Sequence, residues 1–228
     1  MLCQCCNNSM NNFNDLDKVY KCSSCGHIYR DFSHIDLSEF YKFYRNKGRN
    51  KQYRKYFTPL LKIKFSNILL DTIEKYLKDS NSLLEIGSYH GYLSTKLKKY
   101  VTDITCCEID KSCHSVLKSL GFNTVHDFTQ LEKTYDSVIL IDVLEHFNDL
   151  EDNVKKISNL SSKYVIIQVP IKRKIHQKEP FDGHFHYYTI ESITKLFERH
   201  GMSLEFFKCM ERKQTARKEE LICVFVKN

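Results

Sequence analysis

From Ser82 onward, short apolar runs alternate with helical patterns, and this alternation limits the fold more than any other feature of the chain. Strands that alternate with helices form a parallel sheet, with the connecting helices packed on its faces. The run Asp136–Asp142 is apolar almost throughout, which is typical of a strand buried on both faces. We therefore predict an α/β fold. Its first five strands are predicted at Ser82–Gly87, Asp103–Ile109, Asn123–His126, Asp136–Asp142 and Lys163–Pro170.

Two further strands, Met202–Cys209 and Glu219–Val226, are separated by a loop alone. Because a parallel pair needs a longer crossover, these two are expected to pair antiparallel. The chain would then have five strand–helix units and a terminal hairpin, which makes seven strands in all. Helices are predicted at Gly91–Tyr100, Lys111–Leu120 and Asn153–Leu160, and a last one is capped by Thr189 and ends at His200.

The turn Leu84–Gly91 (Leu-Glu-Ile-Gly-Ser-Tyr-His-Gly) leaves the first predicted strand and enters its helix. Such a turn presents free backbone N–H groups and the positive helix end to a ligand. Gly87 and Gly91 let the backbone approach that ligand closely, because they carry no side chain. The turn is therefore the strongest candidate for a ligand site, although a strand–turn–helix without a ligand has the same pattern.

An acidic residue follows this turn at the spacing of a ribose-binding carboxylate. Glu108 lies 21 positions after Gly87, at the end of the next predicted strand, where a carboxylate reaches the hydroxyls of an adenosine ribose. The Gly-x-x-x-Gly run lacks the third glycine of a dinucleotide turn. Glu85 would also repel a pyrophosphate, whereas it suits a cofactor that bears an ammonium and a sulfonium group. These residues favour a methyl donor over a dinucleotide.

A third motif, residues 135–147 (Tyr-Asp-Ser-Val-Ile-Leu-Ile-Asp-Val-Leu-Glu-His-Phe), ends a buried strand with Asp142 and then places Glu145 and His146 after it. Residues at the carboxyl ends of parallel strands face the ligand crevice. With the glycine turn, this run resembles the class I S-adenosylmethionine-dependent methyltransferases, over roughly residues 80–228. The resemblance implies a Rossmann-like, doubly wound sheet in the order 3-2-1-4-5-7-6, with strand 7 antiparallel.

The resemblance also implies roles for single residues. The methionine end of the cofactor would lie against the glycine turn, with Asp142 nearby. Glu108 would bind the ribose hydroxyls, Ile109 would pack on adenine, and Asp127 would bond the adenine amino group, with Phe128 beside it. The cofactor-binding residues implied in this way are Glu85, Gly87, Ser88, Tyr89, Gly91, Glu108, Ile109, Asp127, Phe128 and Asp142.

One departure from the family pattern bears on the substrate. The usual middle glycine of the turn is Tyr89 here, and His90 follows it. Sugar-modifying members with a Glu-Ile-Gly-Ser-x-x-Gly turn carry larger residues at these positions, so the resemblance directs the prediction toward sugars. We expect transfer of a methyl group to a small molecule, at a hydroxyl of a sugar or nucleotide-sugar.

Methyl transfer is an in-line displacement, in which the enzyme mainly aligns donor and acceptor. A hydroxyl acceptor gains from a general base as well. His146 follows a strand end, and His184 and His186 lie in the segment before the last helix. These three histidines are the predicted catalytic residues.

The first 33 residues contain two pairs of cysteines at the spacing of a zinc ribbon. Cys3-x-x-Cys6 and Cys22-x-x-Cys25 are separated by 15 residues, and a closed site of four thiolates is structural rather than catalytic. Cys5 either substitutes for a neighbour or stands free. The alternative is a set of unligated thiols or disulfides. The segment also resembles the short zinc ribbon that precedes the same sugar-related methyltransferases.

The three predicted domains are a zinc ribbon (1–33), a helical linker or lid (34–80) and the methyltransferase domain (81–228). Basic residues interleaved with aromatic ones run from Arg45 to Lys64 in the second of these. Such a pattern occurs in nucleic-acid binding, in the solvated face of an amphipathic helix pair, and in a lid whose cations meet substrate phosphates. The sequence leaves these three interpretations open.

The bulk composition narrows the remaining function classes. A net charge of +7 permits an anionic small-molecule substrate or weak nucleic-acid contact, and no apolar run approaches the length of a membrane helix. The start of the chain has no signal-peptide pattern, so a cytoplasmic protein without a membrane partner is expected. The alternatives are an RNA or protein methyltransferase that docks through the ribbon, and a non-catalytic zinc-ribbon interaction module. The sequence does not predict the oligomeric state.

Overall fold

The computed structural model describes residues 1–13, 18–32, 59–171, 183–211 and 219–228. These residues form two sheets, one small and one large. The strands of the small sheet are β1 (Met10–Asn12), β2 (Val19–Cys22), β3 (Ile28–Arg30) and β9 (His186–Tyr187). Those of the large sheet are β4 (Ser82–Ile86), β5 (Asp103–Cys107), β6 (Asn123–Val125), β7 (Tyr135–Ile141), β8 (Ser161–Ile171), β10 (Met202–Glu211) and β11 (Glu219–Lys227).

The large sheet has the strand order β6-β5-β4-β7-β8-β11-β10. The first five of these strands run parallel, and β11 lies antiparallel to both β8 and β10. The predicted order 3-2-1-4-5-7-6 with an antiparallel seventh strand is therefore confirmed. This topology brings the carboxyl ends of β4, β5 and β7 to one edge of the sheet.

Five α-helices connect the described strands: α1 (Pro59–Lys78), α2 (Tyr92–Leu97), α3 (His114–Ser119), α4 (Leu150–Leu160) and α5 (Ile190–Glu198). Because alternate residues of a strand point to opposite faces, each face of the sheet has its own apolar core. Ile139 of β7 packs with residues of α1, α2 and α3, whereas its neighbour Val138 packs with residues of α4 and α5. No helix among the described residues is long and apolar enough to cross a membrane.

The second half of α1 belongs to the core of the sheet, because Leu69, Ile73 and Leu77 are buried with Leu83 of β4. Residues 33–58, which carry most of the predicted basic segment, lie outside the described residues. The division of the chain at residues 33 and 80 stays a prediction.

Several helix boundaries differ from the prediction, and local hydrogen bonds explain two of them. The helix expected at Lys111–Leu120 begins as a 3₁₀ turn, Lys111–Cys113, because the Asp110 side chain accepts a bond from the backbone N–H of Ser112. The helix expected to begin at Asn153 begins at Leu150, one residue after a cap by Asp149. By contrast, Thr189 caps α5 as predicted, and it forms a reciprocal pair of hydrogen bonds with Ser192.

The small sheet joins the cysteine-rich front of the chain to its last quarter. β9 pairs antiparallel with β3, so that Ile28 lies opposite Tyr187 and Tyr29 opposite His186. At the end of β3, the backbone N–H of Arg30 donates to the carbonyl oxygen of Phe185 at 2.8 Å. The front segment is thus bonded directly to the chain that precedes α5, a contact that the sequence did not predict.

Candidate active site

The turn after β4 holds three residues at positive φ: Gly87 at 81°, Tyr89 at 48° and Gly91 at 73°. A Cβ atom at Gly87 would lie 2.4 Å from Cγ2 of Val143, and one at Gly91 would lie 2.9 Å from Cδ2 of Leu117. Both glycines are therefore required by close packing as well as by φ. The turn is therefore packed closely against Val143, two residues after the end of β7.

Glu108 lies directly after β5 and is bonded to the same turn. Its Oε2 atom accepts a hydrogen bond of 2.7 Å from the backbone N–H of Tyr89, and its Oε1 atom accepts one of 2.8 Å from Asp110. The residue is buried. The carboxylate predicted to bind ribose is thus fixed beside the glycine turn, on the strand that neighbours β4.

Glu85 is a buried acid on β4, one strand away from Glu108. Burial raises its pKa to about 8, with a smaller contribution from the charge of Glu108, and a hydrogen bond donated by Ser94 offsets part of this rise. A carboxyl group in this state gains from any cation that binds next to it. Ser94 was not predicted to belong to the site.

The predicted adenine-binding residues follow β5 and β6. Ile109 is 81% exposed although it is apolar, so its side chain presents a free surface beside the turn. Asp127 caps a 3₁₀ turn and accepts a hydrogen bond of 2.8 Å from the backbone N–H of Thr129. Phe128 is buried, and its ring stacks on Phe147 with centroids 5.7 Å apart. The structure brings these residues to the edge of the sheet that carries Glu108.

The two residues in the middle of the turn point in different directions. Ser88 is buried, and its hydroxyl donates to the carbonyl oxygen of Cys107 at 3.4 Å. The Tyr89 side chain is exposed, with its ring centroid 4.0 Å from that of His90. Tyr89 therefore contributes its backbone N–H to the interior of the turn, while its ring lies outside.

Asp142 follows β7 and has a φ of 56°, in the left-handed region. Its backbone N–H donates to the carbonyl oxygen of Gln168 on β8 at 3.0 Å. Because β7 pairs with β4, Asp142 lies at the same edge of the sheet as Gly87. The predicted methionine-end residues are thus grouped together.

Three ionisable side chains converge just beyond Asp142. The Oε1 atom of Glu145 lies 3.9 Å from Nε2 of His146 and 3.8 Å from Nε2 of His184. Glu145 and His184 are buried, and His146 is partly exposed. His146 and His184 are brought together as two candidate catalytic residues should be. Glu145 was missed as a site residue, although its place beside His146 after a buried strand was the available signal.

Backbone bonds hold this cluster in position. The N–H of Phe185 donates to the carbonyl oxygen of Glu145 at 2.9 Å, and the Tyr188 hydroxyl donates to that of Leu144 at 3.1 Å. Nδ1 of His146 donates to the carbonyl oxygen of Gly183 at 2.6 Å. The loop before β9 is therefore fastened to the turn after β7, and the ring of His146 is oriented by its bond to Gly183.

The third predicted catalytic histidine, His186, has different surroundings. It is fully buried, its Nε2 donates to the carbonyl oxygen of Phe147 at 2.8 Å, and its Nδ1 lies 3.1 Å from Nε2 of His27. Burial holds its pKa well below the usual range. Both ring nitrogens are engaged within the protein, so the geometry does not match the catalytic role predicted for His186.

The four predicted zinc ligands converge on one point. The ligand sulfurs of Cys3, Cys6, Cys22 and Cys25 all lie within 4.8 Å of one another. The Sγ atoms of Cys3 and Cys25 are 3.6 Å apart, and those of Cys6 and Cys22 are 3.5 Å apart. A tetrahedral zinc ion with bonds of about 2.3 Å places its sulfurs about 3.8 Å apart, so these residues fit zinc.

Cys5 and His27 lie next to this cluster. Nδ1 of His27 is 3.4 Å from Sγ of Cys3, and the three residues Cys3, Cys5 and His27 form a second close group. Burial raises the pKa of Cys5 well above its usual range, whereas hydrogen bonds from Cys25 and Cys5 lower that of Cys3. Cys5 is therefore best described as a buried thiol beside the cluster. His27, two residues after Cys25, contacts both Cys3 of the cluster and His186.

A comparison with models of protein families gives a match over more than half of the chain. The model of a family of methyltransferase domains matches residues 53–205 of the chain. A search of curated proteins gave no match.

Solved structures with the same fold are similar over most of their length. Magnesium protoporphyrin IX methyltransferase from Synechocystis PCC 6803 with bound SAM is 15% identical, with a TM-score of 0.64, over 85% of this chain and 98% of that one. The N-methyltransferase NodS from Bradyrhizobium japonicum WM9, in complex with S-adenosyl-L-homocysteine, is 13% identical, with a TM-score of 0.62, over 82% of this chain and 97% of that one. A S-adenosylmethionine-dependent methyltransferase from Clostridium acetobutylicum ATCC 824 is 13% identical, with a TM-score of 0.56, over 84% and 99%. At these identities the likeness concerns the fold.

Proposed function

The chain belongs to the family of methyltransferase domains, and we propose that its methyl donor is S-adenosylmethionine, bound at the turn after β4. One observation carries this proposal: two buried acids, Glu85 and Glu108, flank the turn on adjacent strands. The donor has an ammonium and a sulfonium group at one end and a ribose with two hydroxyls in its middle. Acids at both places complement it, whereas an anionic pyrophosphate would meet Glu85.

The other residues of the turn edge support the same donor. The exposed Ile109 side chain is placed to cover one face of adenine, and Asp127 to accept from its amino group. The backbone of Gly87 and Gly91 gives the methionine end close access to the turn. Asp142 supplies a further negative charge at this end.

Calorimetry with S-adenosylmethionine and with its demethylated product tests the donor directly. Both compounds are expected to bind the purified, zinc-loaded chain, and NAD is not. A chain that binds neither compound would contradict the proposal and would favour a non-catalytic interaction module instead.

We propose a hydroxyl of a sugar or nucleotide-sugar as the acceptor. The turn with Tyr89 and His90 resembles that of sugar-modifying members, and the net charge of +7 suits an anionic nucleotide-linked substrate. Glu145, His146 and His184 lie beyond the methionine end of the donor site, and we assign to this cluster the loss of the acceptor proton. The bond from the acceptor oxygen to the methyl carbon forms as the bond from that carbon to sulfur breaks.

A mass-spectrometric screen tests the acceptor. The chain and S-adenosylmethionine are incubated separately with nucleotide-sugars and with RNA, and a mass gain of one methyl group is sought. The expected result is methylation of a nucleotide-sugar that is lost when the sugar hydroxyls are chemically blocked beforehand. Methylation of RNA alone would contradict the sugar proposal.

We propose that the four cysteines Cys3, Cys6, Cys22 and Cys25 hold one structural zinc ion. The sulfur separations given above support this, because both lie within about 0.3 Å of the tetrahedral value. Four thiol ligands leave no open position, so the ion would stabilise the small sheet and take no part in transfer.

A further inference from the structure

We propose that Glu145, His146 and His184 form a second metal site, which holds one divalent transition-metal ion at the edge of the sheet that carries the donor turn. The site lies outside the cysteine cluster and uses different ligand chemistry. It provides two imidazole nitrogens and one carboxylate oxygen, a set that suits zinc or iron rather than a purely oxygen-seeking ion.

The separations of the ligand atoms favour an ion between them. The distances from Glu145 Oε1 to Nε2 of His146 and of His184 are 3.9 and 3.8 Å, which is too long for direct hydrogen bonds of about 2.7 to 3.2 Å. Metal bonds of about 2.0 to 2.2 Å place two tetrahedral ligands about 3.3 Å apart. Each pair would therefore need to close by only about 0.5 Å.

The position of the ring proton on His146 also favours a metal ion. Since Nδ1 of His146 donates to the carbonyl oxygen of Gly183, the neutral ring keeps its lone pair on Nε2, the atom that faces Glu145. A ring nitrogen that donates to a backbone carbonyl while the other nitrogen faces the ion is the usual arrangement of metal-bound histidine. The bond from the Phe185 N–H to the Glu145 carbonyl fixes the two halves of the site relative to each other.

Charge and access complete the case. The side chain of Glu145 is fully buried, and a divalent ion in contact with it would offset part of the cost of removing the carboxylate from water. The side chains of Glu145 and His184 are 0% and 5% exposed, whereas that of His146 is 25% exposed. The site is therefore enclosed by protein on one side and opens beside His146, which leaves a position for an oxygen ligand.

The location gives the ion a role in transfer, and this role rests on the proposed function, whereas the metal site itself does not. Val143, two residues before Glu145, lies directly against Gly87 of the donor turn. A hydroxyl that binds the ion loses its proton more readily. The proton passes to solvent on the His146 side, the acceptor oxygen bonds to the methyl carbon, and the electron pair of the carbon–sulfur bond stays on sulfur.

Zinc titration of the full chain tests the site. The chain is first loaded with zinc and dialysed against a weak chelator, which leaves the closed cysteine site filled, and Zn²⁺ is then titrated in by calorimetry. A second equivalent is expected to bind the wild-type chain. Glu145→Gln and His184→Gln should each weaken this second equivalent by at least about 100-fold, the upper end of what loss of a mere outer-shell partner causes, and keep the first, which shows that the variants still fold.

His200→Gln is the matched control, because His200 also faces an acid, with its Nε2 3.6 Å from Glu151, but without a second histidine. It should bind both equivalents as the wild type does. A wild-type chain without a second equivalent, or a Glu145→Gln variant that binds it unchanged, would overturn the metal site. Donor titrations on the same samples separate the two proposals: a chain that binds the second zinc but no S-adenosylmethionine retains the site and loses the proposed function.

Discussion

The Oε2 atom of Glu108 accepts a hydrogen bond of 2.7 Å from the backbone N–H of Tyr89. The acid proposed to bind the ribose of the donor therefore also fixes the turn proposed to surround its methionine end. Since Oε1 accepts from Asp110, both oxygens have one protein donor each and keep lone pairs for ribose hydroxyls. Donor binding and turn geometry are coupled through one side chain.

Glu108→Gln is expected to weaken the binding of S-adenosylmethionine by roughly 10- to 100-fold. The amide nitrogen of the glutamine would face one of the two backbone N–H groups from which the carboxylate now accepts a hydrogen bond. Hydrogen bonds to a charged group are worth about 1.5 to 3 kcal/mol, and such a bond would be lost. Calorimetry measures the change. Asp103→Asn is the control, because Asp103 begins the same strand at its other end and forms an exposed pair with Lys133. Equal losses in both variants would argue against a ribose contact.

Gly87→Ala is expected to abolish donor binding, because a Cβ atom would strike Cγ2 of Val143 at 2.4 Å. Gly201→Ala separates this clash from backbone strain: Gly201 has a φ of 73°, yet nothing lies within 4 Å of its added Cβ atom. The control should cost only about 1 to 2 kcal/mol of stability, as measured by urea denaturation, and should bind the donor. In Gly87→Ala with Val143→Ala, part of the donor affinity should return. If the double variant binds no better, packing against Val143 is not the reason for this glycine.

Donor affinity is expected to rise with pH up to about 8. Burial raises the pKa of Glu85 to about 8, so below that pH the carboxyl must lose its proton before it can face the ammonium group of the donor. The affinity should increase by up to about tenfold per pH unit below this value. Calorimetry between pH 6 and about 8.5 measures it, and Glu85→Gln should bind weakly at every pH. A flat profile for the wild type would show that Glu85 does not meet the ammonium group.

The Glu85 carboxyl should also make the donor-free chain less stable as the pH rises. The pKa of Glu85 is higher in the folded chain than the ordinary value of 4.5, so the unfolded chain releases its proton first. The free energy of unfolding should therefore fall by about 1.4 kcal/mol per pH unit between roughly pH 5 and 8 through this group. Urea denaturation at several pH values measures the free energy of unfolding of the wild type and of Glu85→Gln, and this fall with pH should be absent in the variant. A wild-type chain that becomes more stable than the variant as the pH rises from 5 to 8 would contradict the buried state of Glu85.

Cys22→Ser is expected to remove the zinc of the cysteine cluster, because three thiolates and a hydroxyl bind the ion far more weakly. Metal analysis after dialysis against a weak chelator should show one equivalent less than in the wild type. Cys223→Ser is the matched control, since Cys223 is a buried cysteine of β11 that does not belong to the group of four. Its zinc content should be unchanged. Unaltered zinc in Cys22→Ser would end the assignment.

The large sheet could be predicted because each of its signals is local. A run such as Asp136–Asp142 shows its double burial in its own composition, and Gly87 and Glu108 occupy a fixed spacing on consecutive strands. The helix ends were less accurate, because single side chains such as Asp110 and Asp149 decide them.

The cluster around Glu145 could not be predicted in full, because it depends on contacts between distant segments. His146 was identified from its motif, but its neighbours come from a loop 37 residues later, which is held by the bond from His146 to Gly183. His184 and His186 lie in the same segment before the last helix, so the sequence does not distinguish them. Only the contact with His27, 159 positions away, shows that the two histidines have different surroundings.

The pairing of β3 with β9 bears on the order in which the chain acquires its structure during synthesis. Ile28 leaves the ribosome 159 residues before its partner Tyr187, so the front segment waits for most of the large sheet to emerge before its own sheet is complete. Contacts of such high sequence separation slow folding, because a long loop must be closed first. Removal of residues 1–32 would likewise uncover an edge of β9 and the ring of His186. The front of the chain is therefore a late-folding part of one cooperative unit, and truncation at this end should impair the whole.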